Sequence, residues 1–387
     1  MALGTGCTTT RMERPTIRQA PGPLAAAPAT AKADSGGAAP IVRLIPVTYA
    51  DVPGWREDDH LPAFRAFLRS CPAITTGESW RPACTAAARS QVESSESARQ
   101  FLERTLVPHR VTSPDGKAQG LLTGYYEPLL RGSRTPSGPF QVPVYSTPDD
   151  LVSVDLSSVA PETRKMRLRG RVVGRKILPY WSRAEIDEGA APLTGKEIVW
   201  VDDPVDLFFL HVQGSGRVQT ENGDVVRLGY ADQNGHPYRS IGRLLVERGE
   251  LTADQASMQA IKAWGRRHPD RLASLLAENP SYVFFRELPP SLEGPPGSMG
   301  IPLTGGRSIA VDPSAVALGA PVFIASTMPG SGNPLRRLTV AQDTGGAIKG
   351  AVRADLFWGF GPEAEEIAGR MREPLEMWVL LPRADVP

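Results

Sequence analysis

Apolar residues recur at helical spacing in two parts of the chain. The first part runs from Leu61 to about Val107 and ends just before Pro108, a residue that cannot continue a helix. The second part begins near Tyr238 and is interrupted at Gly249, a residue suited to a helix C-terminus. Each part predicts helices with one buried face, carried by Leu61, Phe64, Phe67 and Leu68 in the first and by Ile241, Leu244, Leu245, Met258, Ile261 and Trp264 in the second.

Short runs of β-branched, aromatic and aliphatic residues lie between and after the helical parts, bounded by Gly, Pro, Asp or Asn. A helical part therefore lies on either side of a middle β segment, and a C-terminal β segment follows. This layout predicts a discontinuous domain that carries the middle segment as an insertion. The predicted strands are Gln141–Tyr145, Ile198–Val201, Leu207–Gln213, Val225–Leu228, Pro321–Ile324, Leu338–Gln342 and Met377–Leu381.

The composition agrees with a turn-rich protein in which β structure dominates. Of 387 residues, 38 are Gly and 37 are Pro, and these types cost the interior of a helix about 1 and 3 kcal/mol. The formal net charge is only +1, so electrostatics gives no reason to expect a nucleic-acid partner. No window approaches the roughly 18 apolar residues of a membrane-spanning helix. A helical bundle, an integral membrane protein and a basic nucleic-acid binder are therefore disfavoured.

Two features of the N-terminal region involve cysteine. Residues 1–42 are rich in Pro, Ala and Gly, which predicts a disordered tether, and Cys7 follows a small residue as the acylated cysteine of a bacterial lipoprotein does. The apolar stretch that should precede such a cysteine is absent, so either the start site is placed too late or the similarity is accidental. Cys71 and Cys84 are either a disulfide that closes a short loop or two buried thiols.

Several common site types have no counterpart in the sequence. His211 and His236 have no third ligand at metal-binding spacing, and no nucleophile motif of the Gly-x-Ser-x-Gly type occurs. The run Gly214-Ser-Gly216 follows a predicted strand as a dinucleotide loop does, but the third glycine is missing and the next residues favour a strand. We therefore expect neither a metal nor a cofactor. Such a small-residue turn instead lets backbone groups approach a ligand closely.

Three aspartates in the C-terminal segment are the strongest candidates for chemistry. Asp312 precedes Pro313, Asp343 ends a predicted strand, and Asp355 precedes the apolar and aromatic run from Leu356. A carboxyl beside such residues has its pKa raised by desolvation, as a general acid requires. The alternative is that each aspartate caps a turn, the commoner role of Asp at such a position.

Aromatic and polar residues in the middle segment suit a sugar polymer, because aromatic faces cover pyranose rings while amides and carboxylates bind their hydroxyls. The core of an ordinary β domain contains the same residue types, so type alone does not decide between the two. The residues are Gly124-Tyr125-Tyr126-Glu127-Pro128, Pro179-Tyr-Trp181-Ser-Arg183 and Tyr230.

Taken together and in order, these segments resemble the membrane-bound lytic murein transglycosylase A family over roughly Pro46 to Pro382. The resemblance rests on many ordered motifs rather than on one. The matching stretches are Thr123-Gly-Tyr-Tyr-Glu-Pro128, Phe140-Gln-Val-Pro-Val-Tyr145, Pro179–Ile186, Asp206–Gly216, Gly229-Tyr-Ala231, Asn234–Tyr238, Asn279–Phe285, the three-aspartate segment with Gln342–Gly350, and Gly361–Ala364.

The resemblance implies an α+β fold, mainly β with helices. It implies a double-psi β-barrel domain built from both ends of the chain and a smaller inserted β domain, with a glycan groove between them. The corresponding limits are 1–42 for the tether, 43–122 and 287–387 for the two parts of the barrel domain, and 123–286 for the insertion. The last part of the barrel domain contains the three aspartates.

The resemblance also implies a reaction. Members cleave the β-1,4 bond between N-acetylmuramic acid and N-acetylglucosamine in peptidoglycan without water, leaving a 1,6-anhydromuramyl end. The family's catalytic aspartate aligns with Asp355, although Ala354 stands where Phe is common and one extra residue separates Asp355 from Gly350. The residues expected to bind substrate are Asp343, Asp312, Lys349, Tyr125, Tyr126, Glu127, Gln213, Gly214 and Ser215.

The implied partner is a peptidoglycan glycan strand. The implied setting is the periplasm of a Gram-negative bacterium, with a monomer held at the outer membrane by a lipid on Cys7. Two alternatives differ in chemistry. A hydrolase would use Asp343 and Asp355 as an acid and base pair with water, and a non-catalytic protein would only bind the glycan.

Overall fold

The computed structural model describes Met1 and residues 42–74, 79–166, 168–252 and 256–383. Cys7 and residues 2–41 of the predicted tether lie outside these ranges. The two predicted helical parts contain α1 to α3 and α6 to α8, so those predictions are confirmed. Within the described ranges the helices are α1 (His60–Ile74), α2 (Arg81–Arg89), α3 (Ser95–Thr105), α4 (Arg183–Asp187), α5 (Pro204–Gln213), α6 (Ile241–Glu247), α7 (Met258–Arg267), α8 (Pro269–Ala277) and α9 (Pro362–Arg370).

The strands outnumber the helices and pair into three sheets, which makes the fold α+β as expected. They are β1 (Arg43–Pro46), β2 (Leu106–Thr112), β3 (Gly120–Glu127), β4 (Leu129–Ser133), β5 (Val142–Tyr145), β6 (Val152–Val154), β7 (Leu168–Val173), β8 (Lys176–Pro179), β9 (Glu197–Val201), β10 (Ser215–Thr220), β11 (Val225–Gln233), β12 (Val283–Glu287), β13 (Ser308–Val311), β14 (Pro321–Thr327), β15 (Pro334–Asp343), β16 (Arg353–Phe360) and β17 (Arg372–Pro382).

The largest sheet draws eight strands from both ends of the chain, in the order β1-β2-β17-β14-β15-β13-β16-β3. The first part of β17 pairs with β3, and its remainder pairs with β14 and β2. Because β3 also pairs in parallel with β16, the sheet closes on itself as a barrel. Fully buried side chains such as Phe323, Val340 and Leu380 belong to its core.

Helices α1, α2 and α3 share this core through Phe64, Phe67 and Leu102. Cys71 of α1 and Cys84 of α2 form a disulfide, so of the two alternatives left open by the sequence the structure has the bridge. The bridge lies within the apolar cluster that also holds α1 and α2 against the barrel.

A second sheet of six strands, in the order β12-β11-β10-β4-β9-β5, has a separate apolar core that includes Val144, Val218 and Phe285. The chain passes from the barrel into this sheet between the end of β3 at Glu127 and the start of β4 at Leu129. Strands β6, β7 and β8 form a small third sheet. No helix in the described ranges has the length and apolar character needed to cross a bilayer.

One predicted strand is wrong. Leu207–Gln213 belongs to helix α5, which starts after the N-cap Asp203, has Pro204 in its first turn and ends at Gly214 in the left-handed conformation with φ of 78°. These are strong helix boundary signals. The run is apolar on several sides because α5 is buried against both neighbouring cores, which hides helical periodicity. The other six predicted strands coincide with β5, β9, β11, β14, β15 and β17.

Candidate active site

Two of the three aspartates, Asp343 and Asp355, approach one another because of the strand order of the barrel. Strand β13 lies between β15 and β16, and its Ala310 is the register partner of Asp343 on one side and of Asp355 on the other. Thr123 of β3 is in turn the partner of Asp355. Since directly opposed residues project from the same face of a sheet, Thr123, Asp355 and Asp343 share one face, with a small methyl side chain between the two carboxyls.

A β-bulge gives Asp343 this position. Pairing between β13 and β15 shifts by one residue at Gln342, so that Asp343 rather than Gln342 lies opposite Ala310. The Gln342 side chain is fully buried, where its Nε2 donates to the Ala66 carbonyl (3.1 Å) and to Ser70 Oγ (2.8 Å). Its Oε1 accepts from Ser308 Oγ. Helix α1 therefore holds the bulge in place through its hydrogen bonds with the Gln342 side chain.

Of the three aspartates, Asp355 has the pKa that its surroundings raise most. Burial raises its pKa to about 6, a nearby Asp343 charge acts in the same direction, and Thr123 and Arg353 oppose both. Thr123 Oγ1 donates to Asp355 Oδ1 at 2.6 Å, and Arg353 Nη2 donates to Thr123 Oγ1 at 2.9 Å. As a residue Asp355 is half-buried rather than fully enclosed. A carboxyl with a raised pKa at such a position is suited to donating a proton.

Asp343 is held by several donors. Its Oδ1 accepts from the backbone N–H groups of Ser298 and Thr344, both at 2.8 Å, and its Oδ2 accepts from the hydroxyl of Tyr125 at 3.0 Å. Burial raises the pKa of Asp343 in spite of these donors. Tyr125 is itself buried, and its ring packs on Phe357 with centroids 5.1 Å apart. Asp343 therefore has a fixed orientation.

Asp312 directly follows β13, and its pKa is lowered, whereas those of Asp343 and Asp355 are raised. Burial alone would raise its pKa, but hydrogen bonds from Ser314 and from the Gly350 backbone N–H (3.0 Å), with the charge of Lys349, lower it. The side chain of Asp312 is buried, whereas Lys349 is exposed. Asp312 therefore holds the loop that carries Lys349.

The other predicted residues gather where the barrel meets the second sheet. Gln213 is the last residue of α5, and its Oε1 accepts from the backbone N–H of Tyr126 at 3.1 Å. The Tyr126 side chain is buried in a cluster with Met258 of α7. Glu127 is 1% exposed and accepts from Arg217 at 2.9 and 3.1 Å. Gly214 links α5 to β10, which begins at the buried Ser215.

The described residues contain no group of three His, Cys, Asp or Glu side chains arranged to hold a metal ion. His211 lies instead in the core, where its Nδ1 contacts Arg183 Nη2 at 2.8 Å and its ring stacks on Phe285. Burial and the Arg183 charge lower the pKa of His211 well below its usual value. His236 Nε2 contacts the Tyr180 carbonyl at 2.7 Å.

Comparison with known proteins gives this site a context. The family model described as "MltA specific insert domain" matches residues 121–286, and that described as "3D domain" matches residues 307–381. Membrane-bound lytic murein transglycosylase A of Escherichia coli K12 is 37% identical over 266 residues. That alignment covers 67% of this chain and 64% of the E. coli protein.

The crystal structure of MltA from Neisseria gonorrhoeae in a monoclinic form is 40% identical, with a TM-score of 0.77, over 89% of this chain and 93% of that one. The chain belongs to the MltA family. A crystal structure of E. coli MltA with bound chitohexaose, 29% identical with a TM-score of 0.64, covers 88% of this chain and 94% of that one. The predicted resemblance is confirmed, and the closed sheet is the double-psi barrel of MltA.

Sequence reasoning missed three residues of this MltA-family site. Thr123 begins the stretch Thr123-Gly-Tyr-Tyr-Glu-Pro128, but its contact with Asp355 spans 232 positions along the chain. Arg353 is two residues from Asp355 and belongs to none of the matching stretches. Ala310 has no chemistry of its own and separates the two carboxyls solely through strand register. For Arg353, a base two positions from a candidate acid on the same strand face was a usable signal.

Proposed function

We propose that this protein cleaves the β-1,4 bond between N-acetylmuramic acid and N-acetylglucosamine in peptidoglycan and leaves a 1,6-anhydromuramyl end. The observation that carries the proposal is Asp355, which combines a pKa of about 6 with a partly open surface. A general acid needs both properties. The printed name of the E. coli relative supports murein as the substrate, and the chitohexaose bound to E. coli MltA supports a glycan.

In the first step protonated Asp355 gives its proton to the glycosidic oxygen. The bond from that oxygen to the muramyl C1 breaks, the N-acetylglucosamine leaves with a hydroxyl group, and positive charge develops at C1. In the second step the Asp355 carboxylate takes the proton of the 6-hydroxyl of the same muramyl residue while that oxygen bonds to C1. Asp355 ends protonated and no water is consumed. The attacking hydroxyl is intramolecular, which gives it a high effective molarity.

The contacts of Asp343 favour this one-carboxyl route over hydrolysis by an Asp343 and Asp355 pair. A carboxylate has about four acceptor positions, and three protein donors already occupy three of those of Asp343. Asp343 is therefore poorly placed to take a proton from water. Its negative charge instead helps to keep the pKa of Asp355 high.

We assign the other predicted binding residues to two roles according to their exposure. Lys349, Gln213 and the Gly214 backbone are accessible enough to contact the glycan directly. The rest act through protein partners: Tyr125 orients Asp343, Tyr126 orients Gln213, Glu127 holds Arg217, Asp312 holds the Lys349 loop, and Ser215 begins β10.

We further propose that the glycan lies between the expected barrel domain (43–122 and 287–387) and the expected inserted domain (123–286). All of β3, as far as Glu127, pairs within the barrel sheet and carries Thr123 and Tyr125 to Asp355 and Asp343, so we place the start of the insertion after Glu127 rather than at 123. A periplasmic monomer anchored to the outer membrane through a lipid on Cys7 fits the printed name "membrane-bound" of the relatives. The intact mass of the membrane-extracted protein tests that anchor.

The decisive experiment compares Asp355→Asn with the parent chain on purified sacculi. The matched control is Asp224→Asn, since Asp224 lies exposed in the turn between β10 and β11. We expect the parent and the control to release muropeptides with anhydro ends, identified by mass, and Asp355→Asn to release none while melting cooperatively. Retained release by Asp355→Asn would refute the assignment.

The product ends also separate the alternatives. Free reducing ends from the parent protein would show hydrolysis and would return Asp343 to the role of base. Binding to sacculi without release of soluble fragments would indicate a protein that only holds the glycan.

A further inference from the structure

The hairpin formed by β7 and β8 projects from the protein at its tip. Strand β6 pairs with β7 only from Leu168 to Gly170, whereas β7 and β8 continue to pair as far as Val173 and Lys176. The turn at Gly174 closes the hairpin with φ of 59°. Beyond Gly170, β7 therefore pairs with β8 alone.

Four apolar side chains on this projecting segment are exposed on both of its faces. Val172 and Ile177 are opposed on one face and are 61% and 54% exposed. Val173 on the other face is 44% exposed, and Leu178 on that face is 36% exposed. Such a concentration of exposed aliphatic groups is unfavourable in water unless another surface covers it.

Cationic groups accompany the apolar tip. Arg169 is paired with Asp232 (2.8 Å), and the Arg171 guanidinium lies 3.8 Å from the centre of the Trp181 ring. Arg175 and Lys176 at the turn are exposed, and among the described residues neither forms an ion pair. Residues 168–179 contain four Lys or Arg and no acidic residue, although the whole chain has a net charge of only +1. The segment is thus a basic and apolar extension of a neutral protein.

We propose that the β7–β8 hairpin docks on an anionic phospholipid bilayer. Apolar side chains at a projecting tip, with unpaired cations beside them, match the boundary between acyl chains and anionic headgroups. The four residues from Arg171 to Gly174 extend by roughly 10 Å at the rise of a β-strand, comparable with the 5–10 Å depth that interfacial segments reach. A glycan strand would satisfy the cations but would leave Val172 and Ile177 uncovered, which is why the bilayer is favoured.

The test uses the full chain carrying Cys7→Ser, so that no lipid anchor contributes. We expect this protein to co-float with vesicles of phosphatidylcholine and phosphatidylglycerol, much less with phosphatidylcholine alone, and less as salt increases. The double change Arg175→Gln with Lys176→Gln should weaken binding by roughly 25-fold, since one cation near an anionic surface contributes about fivefold. Val172→Ser with Ile177→Ser should weaken it at least tenfold.

Matched controls are Val225→Ser, an aliphatic residue of comparable exposure, and Arg56→Gln with Arg286→Gln, exposed arginines outside the hairpin. They should bind vesicles like the parent. The proposal is overturned if the parent does not bind anionic vesicles, if the hairpin variants bind as the parent does, or if they lose binding to sacculi while keeping binding to vesicles.

Release of anhydro products from soluble glycan fragments should be unchanged in the hairpin variants. That separates a failure of this docking surface from a failure of the proposed reaction.

Discussion

Replacing Asp355 by Asn should make the protein more stable at neutral pH. The folded state raises the pKa of Asp355 from 3.8 to about 6, so it binds the proton more tightly than the unfolded chain does. The favourable contribution of this group is fully present below pH 3.8 and is lost as the pH rises through about 6. The difference between these two pKa values corresponds to about 3 kcal/mol of unfolding free energy. Asn has nearly the same shape, carries no charge, and can still accept from Thr123.

The measurement is the difference in thermal stability between Asp355→Asn and the parent chain as a function of pH. We expect a gain of up to about 3 kcal/mol at pH 7 that shrinks towards zero near pH 4. The control Asp224→Asn, an exposed residue, should remain within about 0.5 kcal/mol throughout. An Asp355→Asn protein that is equally stable or less stable at pH 7 would contradict the account of Asp355 as a carboxyl destabilised by burial.

Three further predictions concern the surroundings of this carboxyl. Thr123→Val removes a donor to the Asp355 carboxylate, so the fall of activity at high pH should move upward by about one unit; an unchanged pH–rate profile would exclude this role. Gln342→Ala leaves buried polar groups without partners and should cost about 3 kcal/mol in chemical denaturation, against less than about 0.5 kcal/mol for the exposed Gln219→Ala; equal costs would refute the bulge anchor. Reducing the disulfide between α1 and α2 should cost roughly 3 kcal/mol, seen as a lower melting temperature in reductant; a Cys71→Ser protein should then no longer respond to reductant.

Secondary structure could be predicted from the sequence where periodicity was clear. The buried helix α5 could not, because Leu207–Gln213 is apolar on nearly every side and its length also suits a strand. The deciding signals, Asp203 and Pro204 before the run and Gly214 after it, were present in the sequence. Boundary residues are therefore more informative than hydrophobicity for short apolar runs.

The candidate site was predictable in its residues but not in its arrangement. The three aspartates stand out by residue type and by resemblance to a family. The position of Asp343 across Ala310 from Asp355 depends on a single-residue bulge. That bulge is held by Gln342 through Ser70, a contact that spans 272 positions along the chain. No local pattern encodes such a contact, because its energy arises only after α1 has packed against the barrel.

The position of β17 has a consequence for when activity can begin. Its pairing with β2, β3 and β14 joins the first and last parts of the chain, and β3 supplies Thr123 and Tyr125 to the two carboxyls. Contacts between such distant segments form late, because a long loop must close first. An incomplete chain emerging from a ribosome lacks β17, the strand that closes the barrel. The reaction proposed for Asp355 therefore cannot begin before the last strand of the barrel has been synthesised and has paired.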